Sequence, residues 1–338
     1  MEQRERVFAA LNGSRVDRVP LALWKHHYHR DQTAEGLARA TLDVLRQYGP
    51  DLLILTPSPF YLAQAWDLDV RGFGQDDVAP HLAGAAVARP TDWRSLPEPG
   101  LRGSSLQREL HALRLVRQAL GTEMPLLVVV YSPLTTADLL CDGRIRDDLR
   151  TFGNDVRAGL GVIAALTRAF ARAALEAGAD GLLYCSRWAD QETLRAREHR
   201  DFGQRYDLEV LEAVAAGPPT GAAGRDGPLN VLYLEGKQPN LELAERYPVQ
   251  AVCWETWRAT PSLAAARRQL RCSLMGGINP MTFVSGRAAD VQAQVQAALS
   301  QTGGWGLLLA PTGPLPPRAR PELLTALRNA LDAPAGGV

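Results

Sequence analysis

Short apolar runs alternate with stretches of helical spacing from one end of this chain to the other, and that rhythm limits its fold more than any other feature. The runs are residues 19–23, 51–56, 125–131, 181–185, 230–236, 251–256, 273–279 and 305–312. Uninterrupted apolar runs of this length, bounded by turn residues, predict strands buried on both faces. Between them, 3.6-residue periodicity predicts helices over 33–48, 104–120, 152–177, 191–216, 239–247, 261–271, 287–301 and 320–332. The first has Thr33 as its N-cap and Gly49-Pro50 as its stop. Alternation of this kind implies parallel strands joined by right-handed crossovers, and eight of them close a barrel. The expected fold is therefore α/β, a (β/α)8 TIM barrel forming one domain over residues 1–338. An open doubly wound sheet is the alternative, but no strand leads into a G-x-G-x-x-G turn and no P-loop occurs.

Two segments depart from the rhythm. A short amphipathic helix over 2–11 precedes the first strand, and residues 72–103, with prolines at 80, 90, 97 and 99, form an irregular excursion. A Gly/Pro/Ala-rich stretch at 217–227 reads as a mobile connection. Charge narrows the partners: Lys+Arg and Asp+Glu both number 37, so no net field draws nucleic acid or an anionic membrane. No uninterrupted apolar run reaches the roughly 18 residues of a membrane span, and the N-terminus has no apolar signal core. Cys141, Cys185, Cys253 and Cys272 lie far apart with no C-x-x-C spacing, which suits reduced thiols in a cytoplasmic protein.

In barrels of this type chemistry sits at the C-terminal strand ends. The first strand ends most abruptly, in Trp24-Lys-His-His-Tyr-His-Arg30, with three of the six histidines inside four residues. The other strand ends contribute Ser58, Tyr131, Arg187, Asp190, Glu235, Lys237, Glu255, Asn279 and Thr312. Acids, bases, cations and hydroxyls together suit a polar, anionic ligand. Each residue also has a plainer reading. Alternate residues of an extended segment share a side, so His27 and His29 converge while His26 faces elsewhere, unless the segment is a solvated loop. Two histidines need a third ligand to hold zinc, and no Cys or His follows strands five or eight, so no metal or other cofactor is expected. Arg187 and Lys237 either grip the ligand or neutralise Asp190 and Glu235. Glu255 is either a general acid raised by an apolar wall of Trp254 and Trp257, or a salt-bridged structural residue. Cys185 and Cys253 pack as small apolar residues, Gly276-Gly277 admits a ligand or a helix, and His81, His111 and His199 belong to the surface.

The motifs RVFAALNGSRVDRVPLALW (6–24), DLLILTPSP (51–59), PLLVVVYSPLTTADLL (125–140), EAGADGLLYCSRWAD (176–190), SLMGGINP (273–280) and LLLAPTGPLPPRARPELLTAL (307–327) carry a resemblance. Together they resemble the uroporphyrinogen decarboxylase superfamily over nearly the whole chain, which implies the barrel derived above. The family's decarboxylases have Arg-Gln-Ala-Gly-Arg after strand one, two arginines that hold substrate carboxylates; here Lys25 and Arg30 take that place, and lysine lacks the bidentate fork. The family's aspartate after strand two falls near Ser58, its third-segment tyrosine near Leu139 and its late histidine near Thr312. The corrinoid-dependent branch binds zinc through a His-x-Cys after strand five and a late Cys, positions that read Tyr233, Glu235 and Thr312 here. Trp24-Lys25-His26-His27 is closer to the Trp-Arg-His-Phe of other members, so the chain resembles a divergent branch.

The resemblance implies a carboxy-lyase-like enzyme removing carbon dioxide, with proton assistance, from a carboxylated tetrapyrrole-type or similar anionic substrate, and a homodimer. A methyltransferase-like protein and a non-catalytic ligand-binding barrel are the alternatives. The expected catalytic residues are His27, His29, Glu235 and Glu255. Lys25, His26, Arg30, Ser58, Tyr131, Arg187, Asp190, Tyr233, Lys237, Asn279 and Thr312 are expected to bind substrate.

Overall fold

A computed structural model describes residues 1–72, 78–217 and 227–332. Eight parallel strands follow one another around a single sheet in chain order: β1 (Ala22–Leu23), β2 (Leu52–Leu55), β3 (Leu126–Tyr131), β4 (Gly181–Ser186), β5 (Val231–Leu234), β6 (Ala251–Trp254), β7 (Ser273–Ile278) and β8 (Leu307–Pro311). The ring closes just ahead of β1, where Leu21 bridges Leu309 and the Leu309 amide donates to the Pro20 carbonyl at 2.9 Å. The expected α/β barrel is the fold observed. Ladder pairing in the first strand is shorter than the apolar run 19–23 implies, because Pro20 has no N–H to give.

The strands are apolar along their length because both faces are covered. Ile54, Val129, Leu183, Val231, Met275 and Leu308 fill the lumen, while Leu53, Val128, Leu182, Leu232 and Val252 pack under the helices. The N-terminal helix α1 (Gln3–Leu11) plugs the bottom of the barrel with Val7, Ala10 and Leu11. Two carboxylates staple that bottom. Asp51 accepts from the Leu21 amide at 2.8 Å and pairs with Arg6 and Arg18; Asp180 accepts from the Leu126 amide at 2.8 Å and pairs with Arg4 and Arg117.

The helix over Ala34–Tyr48 starts and stops as expected: Thr33 Oγ1 accepts from the Gly36 amide at 3.0 Å, and Gly49 takes the left-handed conformation at φ 54°. Gly153–Glu176 is long and apolar enough to cross a membrane by length and composition alone. Its Leu160, Ile163 and Phe170 are buried in the outer layer, as in a core helix.

Three segments differ from the sequence reading. Residues 132–136, to which no helix was assigned, open one at Pro133–Leu140, because Ser132 caps it (Oγ accepts from the Thr135 amide at 3.2 Å) and proline fits its first turn. The helix expected over 191–216 begins at Ala196 and is interrupted by a π turn at Arg200–Gln204. There His199, read as a surface residue, is 4% exposed against Gly203. The excursion 72–103 is ordered in part: Asp69–Arg71 pairs antiparallel with His81–Ala83, and a 3-10 turn at Pro90–Ser95 buries Trp93, whose Nε1 donates to Asp148 at 2.9 Å. Residues 73–77 of that excursion, and 218–226 of the connection expected to be mobile, lie outside the described residues.

Candidate active site

A cavity of about 340 Å³ opens at the C-terminal ends of β4, β5 and β6, lined by Asp138, Arg187, Glu235, Gly236, Lys237 and Arg258 among others. Two loops are locked together to form it. Asp190, after β4, accepts from the Glu192 amide at 2.8 Å and from the Gln238 amide at 2.7 Å. Gly236 has φ +129°, and a Cβ there would stand 2.1 Å from Asp190 Oδ2, so only glycine lets the β5 loop pass. Both Asp190 oxygens therefore serve the backbone, and the clamp sets Arg187 opposite Glu235.

The Arg187 Nε lies 3.1 Å from Glu235 Oε2, and its amide donates to Thr135 Oγ1 at 3.2 Å. Burial works against the Arg187 charge, but attraction and hydrogen bonding from Glu235, with Asp138 behind it, leave its pKa raised. Glu255 is held by Arg258, whose Nε is 2.7 Å from Oε2. The apolar wall is absent: Trp254 turns outward to donate to the Pro261 carbonyl at 3.0 Å, and exposed Trp257 lies under the Arg258 guanidinium. The ion-pair reading of Glu255 is thus the observed geometry. Lys237 is exposed and makes no ion pair among the described residues.

Asp138 and Arg258 were missed by sequence reasoning. Asp138 stands on the helix capped by Ser132, and its Oδ1 is buried without a hydrogen-bond partner. Burial raises its pKa, with Arg187 opposing. The Ser132-Pro133 start signal, followed by a single acid one and a half turns on, was the available cue. For Arg258 the cue was its i,i+3 spacing from Glu255.

Aromatic and sulfur side chains complete the buried lumen cluster. Trp24 and Tyr233 meet edge to face at 5.3 Å, Cys185 and Cys253 are buried beside them, and burial pushes both thiols and the Tyr131 and Tyr233 phenols up.

The strand-one loop splits, but not by alternation along an extended segment: the Arg30 and Asp31 amides donate to the His27 carbonyl at 2.7 and 2.9 Å, so the chain turns there and Arg30 joins the side of His27 and His29. His26 stacks on Tyr28 at 5.5 Å with its Nδ1 3.2 Å from the Pro57 carbonyl oxygen, and burial lowers its pKa to about 4. Lys25, His27, His29 and Arg30 instead line a separate cavity of about 160 Å³ against the Ala34–Tyr48 helix. Ser58 is buried and accepts weakly from the Phe60 amide at 3.4 Å. Asn279 caps a turn by accepting from the Met281 amide at 2.9 Å, and buried Thr312 donates to the Ile278 carbonyl at 3.3 Å. Gly277 makes room for a helix: a Cβ there would meet Ala298 at 2.8 Å. The structure brings together Arg187, Asp190, Glu235 and Lys237 around the cavity, with Glu255 behind Arg258, and leaves His27 and His29 apart from them. Among the described residues no group of three or more His, Cys, Asp or Glu is placed to hold a metal.

Comparison with known proteins agrees with this architecture. Uroporphyrinogen decarboxylase from Tolumonas auensis is 27% identical over 279 residues, covering 80% of this chain and 75% of the relative. The same enzyme from Bordetella pertussis is 27% identical over 288 residues, covering 81% and 75%. A methyltransferase from Methanosarcina mazei shares the fold at TM-score 0.79, with 20% identity over 98% of both chains. A B12-independent methionine synthase from Shewanella sp. W3-18-1 shares it at TM-score 0.56, with 13% identity over 92% of this chain and 97% of that one. The family model for uroporphyrinogen decarboxylase (URO-D) matches residues 2–333, and the chain belongs to that family.

Proposed function

We propose that the chain is a carboxy-lyase-like enzyme working in the 340 Å³ cavity on a small carboxylated substrate, either a carboxylated pyrrole-type ring or a similar anion. The observation that carries this reading is Asp138, which lines the cavity with Arg187, Lys237 and Arg258 and has one buried carboxyl oxygen, Oδ1, without a hydrogen-bond partner. Lys237 and Arg187, the latter oriented by its ion pair with Glu235, hold substrate carboxylates. As the C–C bond to the departing carbon dioxide breaks, the electron pair left on carbon takes a proton from the acid form of Asp138, the form that burial favours. Family membership supports the reaction class. The cavity volume supports a ligand, or the part of a ligand that enters, no larger than one carboxylated ring.

A methyl-transfer reading draws on the fold shared with the Methanosarcina mazei methyltransferase. One experiment separates the two. Purified protein is incubated anaerobically with uroporphyrinogen and with a panel of carboxylated monopyrroles, carboxylate loss is followed by mass, and metal content is read on the same sample. Loss of carbon dioxide in the wild type and not in Asp138→Asn supports the lyase. No loss from any substrate, with bound zinc, favours methyl transfer.

A further inference from the structure

We propose that Thr135 is a positioning residue: its hydroxyl ties the helix that carries Asp138 to the strand end that carries Arg187, and so fixes the proton donor against the carboxylate grip. The role rests on the reaction proposed above; the tie itself is visible in the geometry. The helix Pro133–Leu140 is fastened to the end of β4 at two points. The Ser132 amide donates to the Cys185 carbonyl at 2.9 Å, and the Arg187 amide donates to Thr135 Oγ1 at 3.2 Å. Thr135 Oγ1 is in turn held 2.8 Å from Ser132 Oγ, the atom that caps the helix by accepting from the Thr135 amide. Ser132 and Thr135 are both buried, so these hydroxyls have no solvent to turn to, and a low-dielectric setting strengthens the bonds they make.

Spacing carries the tie to the chemistry. Asp138 stands three residues after Thr135, about one turn along the same side of the helix. Arg187 directly follows β4, and its charge acts on the Asp138 carboxyl, which lines the same cavity. One hydroxyl therefore sets the register between the two. Thr136 shows how specific the arrangement is. It is equally buried on the same helix, yet its Oγ1 has no hydrogen-bond partner among the described residues. A methyl in place of that hydroxyl breaks no bond, whereas the same change at Thr135 deprives the Arg187 amide of its acceptor.

The test reads the Asp138 carboxyl directly. The whole protein, labelled with carbon-13 at aspartate carboxyls, is titrated by NMR as wild type, Thr135→Val, Thr135→Ser and Thr136→Val, with the signal assigned by its loss in Asp138→Asn. Turnover of the carboxylated substrates is measured on the same proteins. Arg187 lowers the Asp138 pKa, while Asp142 raises it. Without its anchor Arg187 drifts from Asp138, so in Thr135→Val the Asp138 pKa should rise by about 0.5 or more, and KM should rise about threefold or more. Thr135→Ser, which keeps the acceptor, should restore most of both, and Thr136→Val should alter neither. An Asp138 titration unchanged in Thr135→Val, or shifted as far in Thr136→Val, would overturn the proposal. A shift confined to Thr135→Val in a protein that turns over none of the substrates upholds the tie and rejects the reaction instead. Should Thr135→Val fold poorly, Thr135→Ala decides in the same titration.

Discussion

The Asp190 carboxylate and Gly236 occupy one another's space: a side chain at 236 would begin 2.1 Å from Asp190 Oδ2. Gly236→Ala must therefore push Asp190 off the Gln238 amide while also straining a positive φ. The expected cost is roughly 1–3 kcal/mol of stability. Activity should fall further than stability explains, because the clamp aligns Arg187 with Glu235. Asp190→Asn, which sets an NH2 against one of two backbone donors, should give a milder form of the same defect. Urea unfolding alongside turnover measures both.

Asp138→Asn should lower turnover by about 10²–10⁴-fold with little change in KM, since it removes a proton donor and keeps the shape. A variant with wild-type turnover would remove Asp138 from the chemistry. In the wild type, turnover should also fall as pH rises, since the carboxyl, shifted upward by burial, then loses its proton.

Arg187→Lys should raise KM for carboxylated substrates about tenfold or more, because the planar fork that meets both Glu235 and the substrate is replaced by a point charge. Lys237→Gln should raise KM as well, with turnover less affected. Steady-state kinetics on the two variants separate binding from catalysis; unchanged KM in both would place the substrate elsewhere.

Glu109 makes a stability prediction. It is 1% exposed, Arg108 holds Oε1, and Oε2 is buried without a partner. Burial raises its pKa from 4.5 to about 7, opposed by Arg108 and helped by Asp31. The folded state thus holds this proton more tightly than the unfolded chain. The associated stability is complete below pH 4.5 and is lost as pH rises through about 7. Glu109→Gln removes that dependence. Relative to wild type, the variant should gain roughly 2–3 kcal/mol between mildly acidic and mildly alkaline pH, at about 1.36 kcal/mol per pKa unit. Urea midpoints across that range check it; parallel curves for the two proteins would refute it.

The barrel was legible because each strand is covered on both faces, which writes a continuous apolar run, and because caps such as Thr33 and Gly49 mark helix ends locally. The site was less legible, since its geometry depends on contacts between distant segments. That His27 and His29 share a side while His26 faces another was expected from the residues, but the segment turns at His27 instead of extending. Which side meets the mouth depends on how the loop packs against Pro57 and the Ala34–Tyr48 helix, and no local pattern records that. Glu255 illustrates the same limit. Two neighbouring tryptophans suggested an apolar wall, but Trp254 continues the strand's outward face and Trp257 lies in solvent. Asp138 escaped because no helix was expected directly after the third strand, where Ser132-Pro133 begins one.

The seam between Leu309 and Pro20 has a consequence for biogenesis. It joins the first barrel strand to leave the ribosome to the last. Until β8 is synthesised the nascent protein is a curved sheet with two bare edges, the state most open to pairing with another chain. Asp51, by tying the Leu21 amide and two N-terminal arginines together, lets β1 dock on β2 early and wait. Closure across so long a separation in sequence is then the slow event, and substitutions at Asp51 should show first as aggregation during expression and only afterwards as lost stability.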